Sequence, residues 1–496
     1  MDQISATPII VGEKERHPKE MYRVAFTAMW DLFSFYGMKA LLIAYIVTQL
    51  RLGQPMGYAI LGTYAALVFG FNFPGGMVAD KFLGTRKAII WGGYLQIIGH
   101  LILAIPLHQP FFAGLAFVAT GAGFRNAPSG SLVGSFYSNS NGRKKDDGYA
   151  IYYMLFNLGA ALGGLICGYL GQNINWHLGF GAACGFMIIG QLQFILGINK
   201  TQGLPPDSEK LKEKIFINLL SRETIIYLVS LLVVALVTLL FQFPAMMSLI
   251  LLPLSVAAFA YMIYISFRFS CEERRKVFAA LTICLITSFF WAFYEQCGGS
   301  LSLFSLHNVN LNAGGVHLSG LSVNSFMPPA WLVVLTPVSI IVWKWLHHKK
   351  ANPRGYSKLI LAFSFMGFCF FLLWLGSTWN KETGMLPVYY LLVAYLFMEM
   401  GEICLGPVVF SLVSQLSPKV LVSSLMGIMF LSVSLGEFLS GKLGALMVIP
   451  DGMSNPVEMM PYFSSVFLKI AVGSFSIAVL IVLIIPILKK WMQDVK

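Results

Sequence analysis

Asn199-Lys-Thr-Gln-Gly-Leu-Pro-Pro-Asp-Ser-Glu-Lys210 interrupts a chain that is otherwise almost continuously apolar. A second break, Arg268-Phe-Ser-Cys-Glu-Glu-Arg-Arg275, follows after only two apolar runs, 222–242 and 246–267. Upstream of the first break lie six apolar runs, at 22–50, 56–79, 86–107, 110–137, 148–171 and 178–198. Downstream of the second lie six more, at 276–305, 324–346, 357–378, 386–416, 420–447 and 462–488. Each is long enough to cross a hydrocarbon layer of about 30 Å at about 1.5 Å per residue. The pattern of six, two and six predicts an all-α membrane protein of fourteen transmembrane helices, two six-helix bundles around a central site with two extra helices between them.

Composition agrees. Of the 496 residues, 57% are hydrophobic and 11% charged, and the mean hydropathy is +0.73. A soluble protein carries about a quarter charged residues, and a single soluble core stops growing near ~250–300 residues. Seven cysteines form no CxxC pair, so disulfide, zinc and redox chemistry are not expected, and no cofactor or metal is implied. The N-terminus has no apolar stretch of the kind a removable signal peptide needs.

The net charge of +12 is explained by placement. With both ends on one side, 28 of the 34 Lys and Arg fall in the loops of that side and only Arg51 and Lys381 in the loops of the other. Such a split places both termini in the cytoplasm of a multi-pass protein of the cell's inner (plasma) membrane, and nucleic-acid binding is not implied. The expected organisation is a tail at 1–21, a six-helix bundle at 22–198, a linker at 199–221, two inserted helices at 222–267, a second bundle at 268–488 and a tail at 489–496.

Ionisable side chains within spans cost about 2.5–3.5 kcal/mol each on the insertion scale, and by default they mark a pathway. Here they are Asp31, Lys39, Arg125, Glu295, Glu402, Glu437 and Lys442. Asp31 and Lys39 are eight residues apart, which reads as two turns along one helix face. No Ser/His/Asp, metal or nucleotide-binding constellation lies at membrane depth, so an enzyme is not expected.

Several stretches carry a resemblance. Gly76-Met-Val-Ala-Asp80-Lys-Phe-Leu-Gly84-Thr-Arg86-Lys87 is similar to the GxxxD(R/K)xxGR(R/K) loop of major facilitator transporters, with Thr85 inserted before the basic pair. An Asp at a span end, followed by a Gly-permitted turn, can pin neighbouring helices in one state and release them in the other. Phe290-Trp291-Ala-Phe-Tyr-Glu295-Gln-Cys-Gly-Gly-Ser300-Leu resembles the FWxxFEQxxxSL stretch of proton-dependent oligopeptide transporters, the POT family. Gly401-Glu402-Ile-Cys-Leu-Gly-Pro407-Val resembles that family's GELCLSPVG, Tyr152-Tyr-Met-Leu-Phe-Asn157-Leu-Gly159 its FYxxINxG, and Phe33-Ser-Phe-Tyr36-Gly-Met-Lys39-Ala-Leu-Leu its FSYYGMRALL. The two extra helices are typical of its bacterial members.

The resemblance implies alternating access with symport of protons and di- or tripeptides. Asn157, Glu295 and Glu402 would hold the substrate's amino end, and Tyr36, Lys39, Phe69, Arg125, Trp291 and Ser300 would complete the binding site. Asp31, Glu295 and Glu402 would carry proton coupling, and Gly76, Asp80, Gly84 and Arg86 the gating loop. Small peptides or amine-bearing molecules, protons and the bilayer are the expected partners of a monomer. The departures gather on one side of this picture. The family's ExxER falls on Ala28-Met-Trp-Asp31-Leu32, its helix-4 Lys on Asn126, its helix-8 Asn on Met327, a pocket Tyr on Phe69 and an outer-gate Asp on Leu306. Lys39 is thereby expected to lack a gate partner. The losses fall on the carboxylate-binding and coupling side, which leaves a second expectation: the same fold carrying an amine-bearing substrate with altered or absent proton coupling. A third, a non-transporting membrane sensor, conflicts with the costly retention of Asp80, Asn157, Glu295 and Glu402.

Overall fold

Inside a bilayer the backbone has no water to bond, so apolar runs of this length satisfy their own amides as helices. The computed structural model describes residues 17–52, 54–107, 110–137, 142–198, 209–212, 214–216, 220–243, 245–297, 300–313, 316–317, 320–444 and 455–492. Parts of the expected tails and linker (1–16, 199–208, 493–496) lie outside the described residues. The N-terminal set comprises α1 (Lys19–Thr48), α2 (Gln54–Gly70), α3 (Asn72–Val78), α4 (Gly84–Ala104), α5 (Phe111–Ser135), α6 (Gly142–Asn173) and α7 (Trp176–Ile198). After α8 (Arg222–Leu240) and α9 (Ala245–Ser266) comes the C-terminal set. It comprises α10 (Cys271–Tyr294), α11 (Ser300–Asn308), α12 (Gly320–His348), α13 (Gly355–Trp379), α14 (Val388–Leu416), α15 (Val422–Gly444) and α16 (Pro456–Met492).

All fourteen expected runs fall on helices, and two of them are split. Ten helical stretches among the described residues are long and apolar enough by themselves to cross a membrane. The run at 56–79 divides into α2 and α3, then leads through a π-helical turn, Ala79–Leu83, to Gly84 at φ +74°. A side chain is disfavoured in that left-handed region. The run at 276–305 divides at a 3₁₀ turn, Glu295–Cys297, between α10 and α11. Asp80 and Glu295 therefore both stand on non-α turns, which recur where helices bend or carry function. α10 also begins at Cys271, five residues earlier than its apolar run. Ser270 Oγ accepts from Glu273 N–H at 3.3 Å and Glu273 Oε2 accepts from Ser270 N–H at 3.4 Å, a capping box that starts the helix inside the polar break.

Within the N-terminal set α1 lies on α6 and α7, and α4 on α5. Glycine makes the α1–α6 contact possible. A Cβ added at Gly159 would stand 2.0 Å from Met29 O, and one at Gly163 would stand 2.1 Å from Phe33 O. The two sets meet where α15 packs against α2, α3 and α5, and where α6 packs against α12 and α14. At the end carrying most of the Lys and Arg, here termed the basic end, the seam is closed. Asp80 accepts hydrogen bonds from Ser423 N–H (3.1 Å), Ser424 N–H (2.6 Å) and Ser424 Oγ (2.8 Å), at the start of α15. Ser131 and Ser423 hydroxyls are 2.9 Å apart, and Ser411 donates to Asp146 across the same seam. Gly76 and Gly427 let the backbones touch there, since Cβ atoms would come within 2.2 Å of Ser423 O and 2.4 Å of Asn72 O.

α8 and α9 stay peripheral. α8 is tied to the N-terminal set by Trp91 Nε1–H donating to Ser230 Oγ at 3.0 Å and by the Lys87–Glu223 pair at 2.8 Å. Its opposite face exposes Leu228, Leu232, Leu236 and Leu239. α9 bridges the sets: it packs on α10 and α15 of the C-terminal set, and its Tyr261 accepts from Lys81 and packs on Phe73 of the N-terminal set.

The glycine contacts give a direct check. Gly159→Val must separate α1 from α6 and should cost about 1–3 kcal/mol, the usual range for overpacking. Gly164, where an added Cβ meets nothing within 4 Å, provides the control. Thermal unfolding of the purified protein should fall for Gly159→Val and hardly move for Gly164→Ala; equal effects would contradict the α1–α6 packing.

Candidate functional site

The buried polar groups divide into two assemblies, one shared by both helix sets and one enclosed within the N-terminal set. The shared assembly centres on α14, whose segment from Gly401 to Val413 is buried throughout. Glu402, 2% exposed, accepts a hydrogen bond from the Tyr153 hydroxyl of α6 at 2.5 Å. Tyr36 on α1 stands within electrostatic reach of Lys39, Glu295, Glu437 and Glu402. Lys39, one turn along from Tyr36, interacts with Glu437 on α15 and with Glu295. Its ammonium lies 5.6 Å from the Tyr36 ring centre and 5.9 Å from that of Phe35. Four helices, α1, α6, α14 and α15, and the 3₁₀ turn after α10 thus supply one cluster.

The Asp expected opposite Lys39 is absent at Leu306, and the acidic groups acting on Lys39 are instead Glu437 and Glu295. Glu437 provides the charge from a different helix, one that matching residue against residue along α10 and α11 does not reach. Around the cluster, Trp291 packs edge-on to Tyr294 with ring centres 5.2 Å apart, and Phe69 packs on Phe35 at 6.1 Å. Asn157 lies one turn beyond Tyr153 on α6 and donates from Nδ2 to Tyr153 O at 3.0 Å. Ser300 is placed elsewhere. Its hydroxyl donates to Gln296 Oε1 at 2.8 Å, and Gln296 Nε2 donates to Ser440 Oγ at 2.9 Å, so Ser300 ties α11 to α15.

The second assembly holds Arg125 and Asp31. Arg125 is 1% exposed, with Nε 3.6 Å from Asp31 Oδ2 and Nη1 donating to Gln191 Oε1 of α7 at 2.7 Å. Gln191 Nε2 in turn donates to Ile90 O at 2.9 Å. Gly93 makes the room, since a Cβ there would fall 2.0 Å from Gln191 Oε1 and 2.3 Å from Arg125 Nη1. Arg125 therefore projects into the interior of its own helix set, away from Glu402. Asp31 and Lys39 likewise serve different assemblies: eight residues at about 100° each leave about 80° between the two side chains.

A residue that reading the sequence missed is Glu399. It is fully buried on α14, three residues before Glu402, and its Oε1 accepts from the Tyr294 hydroxyl at 3.1 Å. The signal was present in Met398-Glu-Met-Gly-Glu402, where i,i+3 spacing puts two carboxylates on one helix face. Of the residues expected to form a gating loop, Asp80 spans the seam as described, Gly76 gives the close approach, Gly84 takes the positive φ and Arg86 lies in the first turn of α4.

The POT-family pattern matches residues 86–460, about three-quarters of the chain. The chain belongs to the POT family. In line with this, it is 28% identical to dipeptide and tripeptide permease A of Proteus mirabilis (strain HI4320) over 483 residues, 96% of each chain. It is 26% identical to the permease of the same name from Escherichia coli (strain K12), over 97% of this chain and 94% of that one. Among solved structures, a peptide transporter POT in complex with sulfate superimposes with a TM-score of 0.72 at 26% identity, covering 97% of both chains. A variant of a peptide transporter POT in complex with alafosfalin gives the same TM-score, identity and coverage. The fold is thus an all-α fold matching that of POT transporters, with α8 and α9 between the two helix sets in the chain.

The Arg125–Asp31 assembly predicts a stability coupling. Asp31→Asn and Arg125→Gln should each cost about 3–5 kcal/mol, because each strands a buried charge. The double substitution should cost clearly less than the sum. Additive losses in a thermal-unfolding cycle would instead place Arg125 outside the pair.

Proposed function

We propose that this POT-family protein is a secondary active transporter that moves di- and tripeptides together with protons by alternating access. The observation that carries the reading is the cluster of Tyr36, Lys39, Tyr153, Glu295, Glu402 and Glu437, built from both helix sets beside a basic end that is closed. A site that belongs half to each set changes its exposure when the sets rock against one another. The names of the relatives support peptides as cargo.

In this reading Glu402, with Glu295 and Asn157 near it, receives the substrate's amino group, and Tyr36, Phe69 and Trp291 border its side chains. A buried carboxylate suits an ammonium, because each charge spares the other an unpartnered burial. Lys39, now on Glu437 and Glu295, is the cation that the substrate's carboxylate would compete for. Asp80 latches the basic end by bonding the first amides of α15, where the helix dipole also favours a negative charge. Losing that latch releases α15 from α3. The basic end is assigned to the cytoplasm of the cell's inner membrane, with both termini there and the monomer as the working unit. The division at 22–198, 222–267 and 268–488 into two bundles and an insert follows the same reading. The alternative of an amine-only substrate is not favoured by the names of the relatives.

The test is uptake into proteoliposomes under an imposed inward proton gradient, with a mixed di- and tripeptide pool beside a C-terminally amidated one. Free peptides should accumulate, a protonophore should abolish the accumulation, and Glu402→Gln should remove most of it. Movement of amidated compounds alone would replace this reading with the amine-substrate one.

A further inference from the structure

The POT-family residues that pair a helix-1 Glu and Arg are Ala28 and Leu32 in this chain, and Asp31 is occupied by Arg125. A proton-coupled mechanism therefore needs its proton held elsewhere, and the interior of α14 offers a place. Glu399 and Glu402 are 0% and 2% exposed and share one helix face. In each, Oε1 accepts from a tyrosine hydroxyl, Tyr294 for Glu399 and Tyr153 for Glu402. In each, Oε2 is buried with no hydrogen-bond partner. The two stand one helical turn apart on α14 and act on one another electrostatically, and a hydrogen bond between two carboxyl groups exists only when one of them carries a proton.

Among the described residues, the titratable groups acting on the pair are Tyr36 of α1, Tyr153 of α6, Tyr294 of α10, Glu295 and Cys297 of the 3₁₀ turn, Cys369 of α13 and Tyr395 of α14 itself, none of them a cation. The wider cluster has four carboxyl groups, Glu295, Glu399, Glu402 and Glu437, and Lys39 acts on two of them, Glu295 and Glu437. Two adjacent carboxylates buried without a cation cannot both stay ionised, as in other carboxyl dyads sharing one proton.

We propose that Glu399 and Glu402 form a carboxyl dyad that binds the transported proton between their Oε2 atoms, replacing the helix-1 coupling residues that this chain lacks. The proton comes from water when the site faces outward, forming an O–H bond on one Oε2 that the other Oε2 accepts, and it returns to water on the inner side. With that proton bound, the dyad carries one negative charge, and a substrate ammonium on Glu402 makes the pair neutral. Without it, the loaded pair keeps a net negative charge in a dry interior as the sets rock. Charge balance thereby links proton to substrate at one place. Glu399 is a proton-binding residue in this scheme and need not touch the substrate.

This inference rests on the transport reading above, so its test has one arm that depends on transport and one that does not. In proteoliposomes, a gradient of about one pH unit can sustain about tenfold accumulation per coupled proton. The wild-type protein should approach that ratio. Glu399→Gln should bring it to about unity, losing far more accumulation than peptide counterflow, which needs no net proton movement. Glu399→Asp should retain part of the accumulation and shows that the position tolerates change. Gradient-driven accumulation by Glu399→Gln equal to wild type would overturn the dyad. If wild-type protein neither accumulates nor exchanges peptides, the peptide reading fails instead, and the dyad is then decided by infrared spectroscopy of the full chain in lipid. A protonated-carboxyl band should titrate differently in wild type and Glu399→Gln; identical titration in the two would refute the shared proton.

Discussion

A charge inside a bilayer is tolerated only against another charge or a proton, and the arrangement of this molecule follows from how each one is answered. Asp31 and Arg125 answer one another inside the N-terminal set, with Gln191 satisfying a further guanidinium N–H and Gly93 leaving the room. Lys39 is answered by Glu437 and Glu295 from the opposite set. Glu402 and Glu399 have tyrosine hydroxyls and each other, and among the described residues no cation acts on them. The first arrangement lies within one set, the second acts between the two, and the third is a carboxyl pair on one helix. All three are answers to the same electrostatic demand.

The seam between the sets has the matching mechanical character. At the basic end it is made by backbone contact at Gly76 and Gly427 and by short polar bonds through Asp80, Ser131 and Asp146. Such contacts are local and exchangeable with water, whereas the glycine-mediated α1–α6 contact lies within one set and is continuous along the helices. A structure assembled this way separates between its sets more readily than within them, which is what rocking about a central site requires.

The sequence exposed some of the site and hid the rest for identifiable reasons. Glu402, Glu295, Tyr36 and Asp80 stood out because an ionisable or aromatic group at a fixed spacing within an apolar run is costly and recognisable. Ser300 stood in an equally recognisable stretch, yet its hydroxyl is spent on Gln296, which itself bonds Ser440 of α15. Glu399 was overlooked because it lies just before a motif, although the helix brings it to the same face as Glu402. Partners between distant helices, Lys39 with Glu437 and Arg125 with Gln191, leave no local mark, since neither spacing nor periodicity records which helix packs against which.

What the sequence by itself determined is therefore the order and apolar character of the helical runs. These depend on run length and apolar content, both of them local along the chain. The tertiary structure alone decided which buried charges meet. Pairing depends on helix rotation and on the close approach that glycines such as Gly93, Gly159 and Gly427 permit. An 80° difference in helix phase was enough to send Asp31 into one assembly and Lys39 into another, because a salt bridge acts over a few ångströms while the chain that carries it spans the whole bilayer.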